Sequence, residues 1–272
     1  MSTVVWCNGE FREGPLAISP SDRGLTHGLG VFETLLAVDG QVRALHLHLG
    51  RMATGAAALG LDGDRIDVAI IDSAITTLLD RTDLAQGRAR IRISLSGGSG
   101  DLRTLSPGSD SLLWITASRA ADPPKSVSLI TASFRRNESS PLAGIKALSY
   151  AENLVALNRA RLSGADEALF YNTRGELCEA TTSNIFLVRH DKLLTPPLSS
   201  GCLPGTMRQR VLDFCQAAGI AAEETTLTKA DLAKASQFFI TSAIRGAVPV
   251  STLDGQALSQ GAPALLTRLQ AL

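Results

Sequence analysis

The chain is 272 residues long, with 26 lysines and arginines balanced by 26 aspartates and glutamates. That length fits two modest domains or one large one, and the ordinary globular composition supplies enough apolar residues for a core. Zero net charge gives no electrostatic case for nucleic acid or an anionic membrane surface, and no apolar run approaches the length of a membrane span. Asn8-Gly9 after Val4-Val5-Trp6 predicts a hairpin. Val31 to Val38 reads as a strand, which Asp39-Gly40 turns back toward Val42. From about Leu45 to Leu61 the pattern is helical and alanine-rich. A second helix is predicted from about Arg65 to Leu79, with Val68, Ile71, Ile75 and Leu78 on one stripe. Ala89, Ile91, Ile93 and Leu95 alternate with Arg88, Arg90, Arg92 and Ser94, the period of a strand with one apolar face. The glycine loop Gly97-Gly98-Ser99-Gly100 follows. It lacks the lysine-threonine ending of a P-loop and is read as a mobile loop.

After a strand from Leu112 to Ala117, residues 118–126, which contain Pro123-Pro124, read as a linker. Strands resume at Val127 to Thr131. A helix is predicted from Tyr150 to Leu162, stopped by Ser163-Gly164. Short strands follow at Glu167 to Tyr171, Glu176 to Glu179 and Asn184 to Val188. Gly205 precedes a helix reaching about Ala218, and a last strand begins near Gln237. Mixed strands and helices in both halves place the chain in the α+β class. The expected division is an N-terminal α/β domain over 1–117, the linker 118–126, and a C-terminal domain over 127–272. The cysteines Cys7, Cys178, Cys202 and Cys215 form no CxxC pair, and no histidine stands at metal-ligand spacing beside them. Reduced structural thiols and no metal are expected. Met1 to Trp6 lacks a basic segment followed by an apolar stretch, so a cytoplasmic location is expected.

Several residues could carry chemistry. Lys146 stands in the run GIKALSY, with Tyr150 four residues on. A lysine beside apolar residues ordinarily snorkels to the surface, but one held in a pocket can lose its proton and form a Schiff base. Glu179, in ELCEATTSN, is either a strand-end carboxylate facing water or the partner of a cofactor's pyridinium nitrogen. Thr181, Thr182 and Ser183 read as a turn or as hydroxyl donors to a phosphate. Gly205-Thr206-Met207-Arg208 opens a helix, whose N–H groups and dipole suit an anion, as at every helix start.

The joint pattern is more specific than its parts. The stretches DRGLTHGLGVFETLLAVDGQVRALHLHLGRM, GIKALSYAENLVALNRARLSGADEALFYNTRGELCEATTSNIFLV, LPGTMR and FFITSAIRGAVPV resemble the class IV aminotransferases over nearly the whole chain. These are pyridoxal 5'-phosphate (PLP) enzymes of fold type IV. The resemblance implies a two-domain fold like that of D-amino acid aminotransferase, with residues 127–272 as the PLP-binding domain. It also implies small amine, amino acid and keto acid substrates, and a homodimer. Lys146 is implied as the cofactor-bearing lysine and proton shuttle, and Glu179 as the partner of the pyridine nitrogen. Tyr150 would stand near the cofactor's phenolic oxygen. Arg51, in His48-Leu49-Gly50-Arg51, would bind the phosphate. The backbone at Thr206 and Met207, with Ser242, would complete the phosphate cup, and Thr182 and Ser183 would add donors. Ala243 stands where a second hydroxyl is usual in that cup.

Three kinds of relative compete: branched-chain aminotransferases, D-amino acid or (R)-amine aminotransferases, and aminodeoxychorismate lyases. Chain length, the run AGIK and the Met-Arg after Gly-Thr resemble the lyases. Gly100-Asp101-Leu102-Arg103 departs from the arginine-glycine-tyrosine element common in them. Gly28-Leu29-Gly30 replaces a common glycine-aspartate-glycine, and Leu36 occupies a position that is basic in several aminotransferases. Phe32 and Thr34 are expected as pocket walls. Arg103 or Arg245 is expected to bind a substrate carboxylate through the guanidinium fork. The expected activity is amino-group transfer between an amino acid or primary amine and a keto acid. The alternative is a 4-amino-4-deoxychorismate lyase, which eliminates pyruvate to give 4-aminobenzoate. A third reading, a PLP-binding protein without turnover, is opposed by the presence of both Lys146 and Glu179.

Overall fold

The computed structural model describes residues 4–101, 103, 108, 110–259 and 263–272. The chain divides into two units, Met1–Asp122 with Ile145–Tyr150, and Pro123–Gly144 with Ala151–Leu272. The run containing Lys146 therefore counts with the N-terminal unit, although it lies well inside the C-terminal half in sequence.

The first unit contains β1 (Val4–Cys7), β2 (Glu10–Glu13), a short α1 (Arg23–Thr26), β3 (Gly30–Val38), β4 (Gln41–Val42), α2 (Leu45–Ala58), α3 (Val68–Arg81), β5 (Arg88–Ser96) and β6 (Leu113–Arg119). Its described strands form one sheet in the order β2-β1-β6-β5-β3-β4. The long strands β3 and β5 pair antiparallel over nine residues, from Gly30↔Ser96 to Val38↔Arg88. Alternation sends Val31, Leu35, Ile91 and Ile93 into one core with Leu49 and Met52 of α2 and Ile71, Ile75 and Leu78 of α3. Helix α3 begins at Val68 rather than Arg65, because the Asp67 side chain caps it by accepting from the Ile70 N–H at 2.9 Å. Val68 is accordingly exposed and lies off the buried stripe. Strand β6 continues to Arg119, since Arg119 still pairs with Ala89, so residues 118 and 119 are strand rather than linker. The glycine loop is tied down at its start. Buried Arg23 donates to the carbonyls of Gly97 at 2.8 Å and Gly98 at 3.2 Å, and Gly97 donates to Leu29. Leu102, further along, lies outside the described residues.

The second unit contains β7 (Val127–Thr131), α4 (Ala151–Leu162), β8 (Glu167–Tyr171), β9 (Leu177–Ala180), β10 (Asn184–Arg189), β11 (Lys192–Thr195), α5 (Thr206–Ala217), β12 (Ala222–Glu224), α6 (Lys229–Ala233), β13 (Gln237–Ser242), β14 (Gly246–Leu253), β15 (Gln256–Ala257) and α7 (Pro263–Gln270). The described strands follow the order β12-β11-β10-β13-β14-β7-β8-β9, with β15 on β14. Strand β13 is not the last: Gly246, at φ 66°, reverses the chain into β14. The cross-strand pair Phe186↔Phe239 stacks at 5.2 Å and packs with Met207 and Val211 of α5 and Leu269 of α7. Among the described residues no helix is long and apolar enough to cross a membrane.

One core position in the first unit is charged. Glu33 lies between Val31 and Leu35 on the helix-facing side of β3 and is fully buried. Its Oε1 accepts from Arg51 Nε at 2.7 Å, and its Oε2 accepts from Arg51 Nη2 at 2.6 Å. His48 Nδ1 lies 2.7 Å from Oε2. Burial alone would raise the Glu33 pKa, but the Arg51 charge and these hydrogen bonds bring it down to about 2. Compared with its ordinary value of 4.5, this contributes about 3 kcal/mol of stability at neutral pH. A depressed carboxyl stabilises the fold above its unfolded pKa, and that contribution is lost as pH falls through the folded value. Burial lowers the His48 pKa against the pull of Glu33, which adds to acid lability in the same direction. Glu33→Gln should therefore lose about 3 kcal/mol at neutral pH and show a flatter fall in stability below about pH 4.5. Urea unfolding across that range checks it; a variant with the parent's pH profile would refute the assignment.

Candidate active site

In the first unit, the position of Lys146 follows from strand pairing. Its carbonyl accepts from the Phe32 N–H at 2.9 Å, Leu148 N–H donates to Gly30 at 2.8 Å, and Ala147 bridges antiparallel to Val31. Residues 145–148 thus extend along the edge of β3. Alternation turns Ile145 and Ala147 toward the core, where Ile145 meets Val31's neighbour Gly55. Lys146 falls on the opposite face, opposite Phe32. Its Nζ lies 4.4 Å from the centre of the Phe32 ring and 5.2 Å from that of Tyr150. The two rings meet edge to face at 5.2 Å. Close approach requires glycines here: a Cβ on Gly30 would stand 2.5 Å from the Leu95 carbonyl oxygen, and one on Gly28 2.3 Å from Ser149 Oγ.

A second cation shares the Phe32 ring. Arg92, in register with Thr34 on the neighbouring strand, holds its guanidinium carbon 3.9 Å from the ring centre. Burial lowers the Arg92 pKa, opposed by its neighbour Tyr150. Thr34 is half-buried on this face and Leu36 is buried further along it. Sequence reasoning missed Arg92. The alternation of arginines with apolar residues in β5 placed it off the core face, and only the sheet register shows that its neighbour is Phe32. Arg51 lies on α2 and is held by Glu33. Arg103 pairs with Asp101 at 2.7 Å and its side chain is 89% exposed.

In the second unit, Glu179 lies on β9 and is buried rather than facing water. Its Oε2 accepts from the Leu203 N–H at 2.9 Å, and its Oε1 lies 3.4 Å from an Arg136 nitrogen. Arg136, also unsuspected from the sequence, binds Glu152 and Asn153 and covers the Phe170 ring at 4.3 Å. Thr206 and Met207 are the first residues of α5, whose N-cap is Gly205 with no side-chain cap. A Cβ on Gly205 would stand 1.9 Å from Asn184 Oδ1, and Asn184 in turn donates to the Leu203 carbonyl at 2.8 Å. Ser242 ends β13, and Ala243 follows in the turn to β14.

Thr181, Thr182, Ser183 and Arg245 converge on one group that the sequence did not flag, the buried carboxylate of Glu167. Arg245 Nη2 also reaches Thr182 Oγ1 at 3.0 Å and Ser183 Oγ at 2.7 Å. Among the described residues no group of three or more His, Cys, Asp or Glu side chains is placed to hold a metal ion. The four cysteines are unbridged and buried.

Residues 30–253 match the family described as amino-transferase class IV. A Methanocaldococcus jannaschii protein provisionally named a branched-chain-amino-acid aminotransferase is 33% identical over 94% of this chain and 89% of its own. The aminodeoxychorismate lyase of Bacillus subtilis is 24% identical over 92% of this chain and 87% of its own. A hypothetical aminotransferase from Mycobacterium tuberculosis, solved in its PLP-bound form, covers 98% of this chain and 97% of its own at 27% identity and a TM-score of 0.86. The fold and the matched family agree with the resemblance read from the sequence: the chain belongs to the class IV aminotransferases, PLP-dependent enzymes of fold type IV that include both aminotransferases and aminodeoxychorismate lyases.

Proposed function

We propose that the protein is an aminotransferase that moves an amino group between an amino acid or primary amine and a keto acid. The observation that carries this reading is Lys146 Nζ set over the Phe32 ring, with Tyr150 and Arg92 on the same ring. An amine to move protons and a cation to take a carboxylate thus share one aromatic platform. The residues also fit PLP. The start of α5 has no side-chain cap, and only a glycine at 205 fits against Asn184. Glu179 is a buried carboxylate with a cation and an N–H donor already facing it.

When bound, PLP would supply an aldehyde for the amine and a ring able to draw electrons from the α-carbon. Lys146 holds the cofactor through Nζ and moves the proton at the substrate α-carbon. Glu179 would hold the proton on the ring nitrogen, and Tyr150 would orient the phenolic side. Arg51, kept in one orientation by Glu33, binds phosphate, with the N–H groups of Thr206 and Met207 and the Ser242 hydroxyl. Phe32, Thr34 and Leu36 wall the substrate pocket; Phe32 and Leu36 favour an apolar side chain. Arg92 takes the substrate carboxylate in preference to Arg103, which is solvent-exposed, and Arg245, which neutralises Glu167. The homodimer is supported by the exposed apolar residues Leu154, Val155 and Leu162 of α4, and a cytoplasmic location by the unbridged cysteines.

Borohydride reduction of the holoenzyme should leave a pyridoxyl label on Lys146 by peptide mapping; a label on another lysine would sink the assignment. An amine and keto acid panel should show half-reactions, while release of 4-aminobenzoate from aminodeoxychorismate without any half-reaction would replace this reading by the lyase. Glu179→Gln should bind PLP yet abstract the α-proton at least tenfold more slowly, since an amide holds the ring proton poorly. Normal single-turnover proton abstraction would remove Glu179 from that role. Arg92→Gln should lower kcat/KM for carboxylated donors by roughly 2–5 kcal/mol while sparing simple amines. Equal losses for both donor classes would place the carboxylate elsewhere.

A further inference from the structure

Thr181, Thr182 and Ser183 direct their hydrogens inward. Thr181 Oγ1 donates to Glu167 Oε2 at 2.8 Å, Thr182 Oγ1 to Oε1 at 2.9 Å, and Ser183 Oγ to Oε1 at 3.0 Å. The Thr182 N–H adds a fourth bond, to Oε2 at 2.8 Å. The Glu167 residue is 1% exposed, and Arg245 is its counter-ion. Burial alone would raise the Glu167 pKa; the Arg245 charge and these donors bring it below the ordinary value. A hydroxyl has one hydrogen, so toward any other neighbour these three act as acceptors. A phosphate needs donors. Thr182 and Ser183 are therefore unsuited to the donor role expected of them, because an internal anion already holds their hydrogens.

Arg245 has the opposite effect on Ser242. Its backbone N–H and its Nε–H both point at Ser242 Oγ, at 3.3 and 3.5 Å. These are long bonds that orient more than they stabilise. With its lone pairs facing Arg245, the Ser242 hydroxyl turns its own hydrogen away. Ala243 and Ile244 offer no hydroxyl, so Ser242 is the turn's hydroxyl donor. We propose that Arg245 is a positioning residue: anchored on Glu167, it sets the Ser242 hydroxyl as a one-way donor to the cofactor phosphate and does not bind the substrate carboxylate. This rests on the reading that Ser242 belongs to the phosphate site.

The test compares dissociation constants of PLP and of pyridoxal, which lacks the phosphate, on the apo full-length protein. Ser242→Ala should weaken PLP about tenfold, as expected for a lost bond to a charged group, and leave pyridoxal unchanged. Arg245→Lys keeps a cation for Glu167 but lacks the Nε–H. It should weaken PLP selectively, by less than Ser242→Ala because the backbone bond remains. The double variant should be no weaker than Ser242→Ala alone. In Arg245→Lys the kcat/KM ratio of carboxylated to plain amine donors should hold. Full PLP affinity in Arg245→Lys beside a loss in Ser242→Ala, additive losses, or a selective fall with carboxylated donors would each overturn the proposal while leaving the phosphate reading intact. An unchanged PLP affinity in Ser242→Ala would overturn both. If Arg245→Lys does not fold, Glu167→Gln with Arg245→Gln removes both charges together and is read by the same comparison.

Discussion

Two backbone hydrogen bonds, from the Phe32 N–H to the Lys146 carbonyl and from the Leu148 N–H to the Gly30 carbonyl, bind a six-residue run to the edge of β3. Because side chains alternate along an extended chain, this pairing places Lys146 on the Phe32 face and commits Ile145 and Ala147 to the other. A slip of one residue would bury the lysine in the aliphatic core of the first unit. The glycines at 28 and 30 follow from the same constraint, since any side chain there would occupy the space of Ser149 or the Leu95 carbonyl. Gly55 of α2 serves it from the core side, where Ile145 packs.

Buried carboxylates are the second theme, and Glu33, Glu167 and Glu179 each face a cation within their own unit. Glu33 takes Arg51 and His48 in the first; Glu167 takes Arg245, and Glu179 faces Arg136, in the second. Isolated carboxylates at such positions would be costly, and a guanidinium compensates them with fixed geometry as well as charge. The consequence is rigidity. Arg51 and Arg245 are held in one orientation by anions that the fold itself supplies. Several arginines that look scattered in sequence, Arg51, Arg136 and Arg245 among them, are thus committed to particular buried carboxylates.

Much of the architecture was legible in the sequence because it rests on local periodicity. The period of two over residues 88–95 identified β5 and its apolar face, and Gly205 marked the start of α5. Element ends were less legible where a single side chain decided them. Asp67 starts α3 three residues later than the apolar stripe suggested, and pairing with Ala89 carries β6 to Arg119. Strand β14 was missed because its hairpin depends on Gly246 and its pairing on β7, distant in the chain.

The sequence by itself determined the family, and with it the cofactor, because the motif runs around Lys146, Glu179 and Gly205 occur together in one order over nearly the whole chain. Which side chains meet was decided only in three dimensions. Arg92 lies 54 residues from Lys146 in sequence, and only strand register brings both to Phe32. Glu167 looked like an ordinary strand residue until the turn at 181–183 and Arg245 closed around it. A hydroxyl's identity is written in the chain, but the direction of its hydrogen depends on which acceptor the fold brings within about 3 Å.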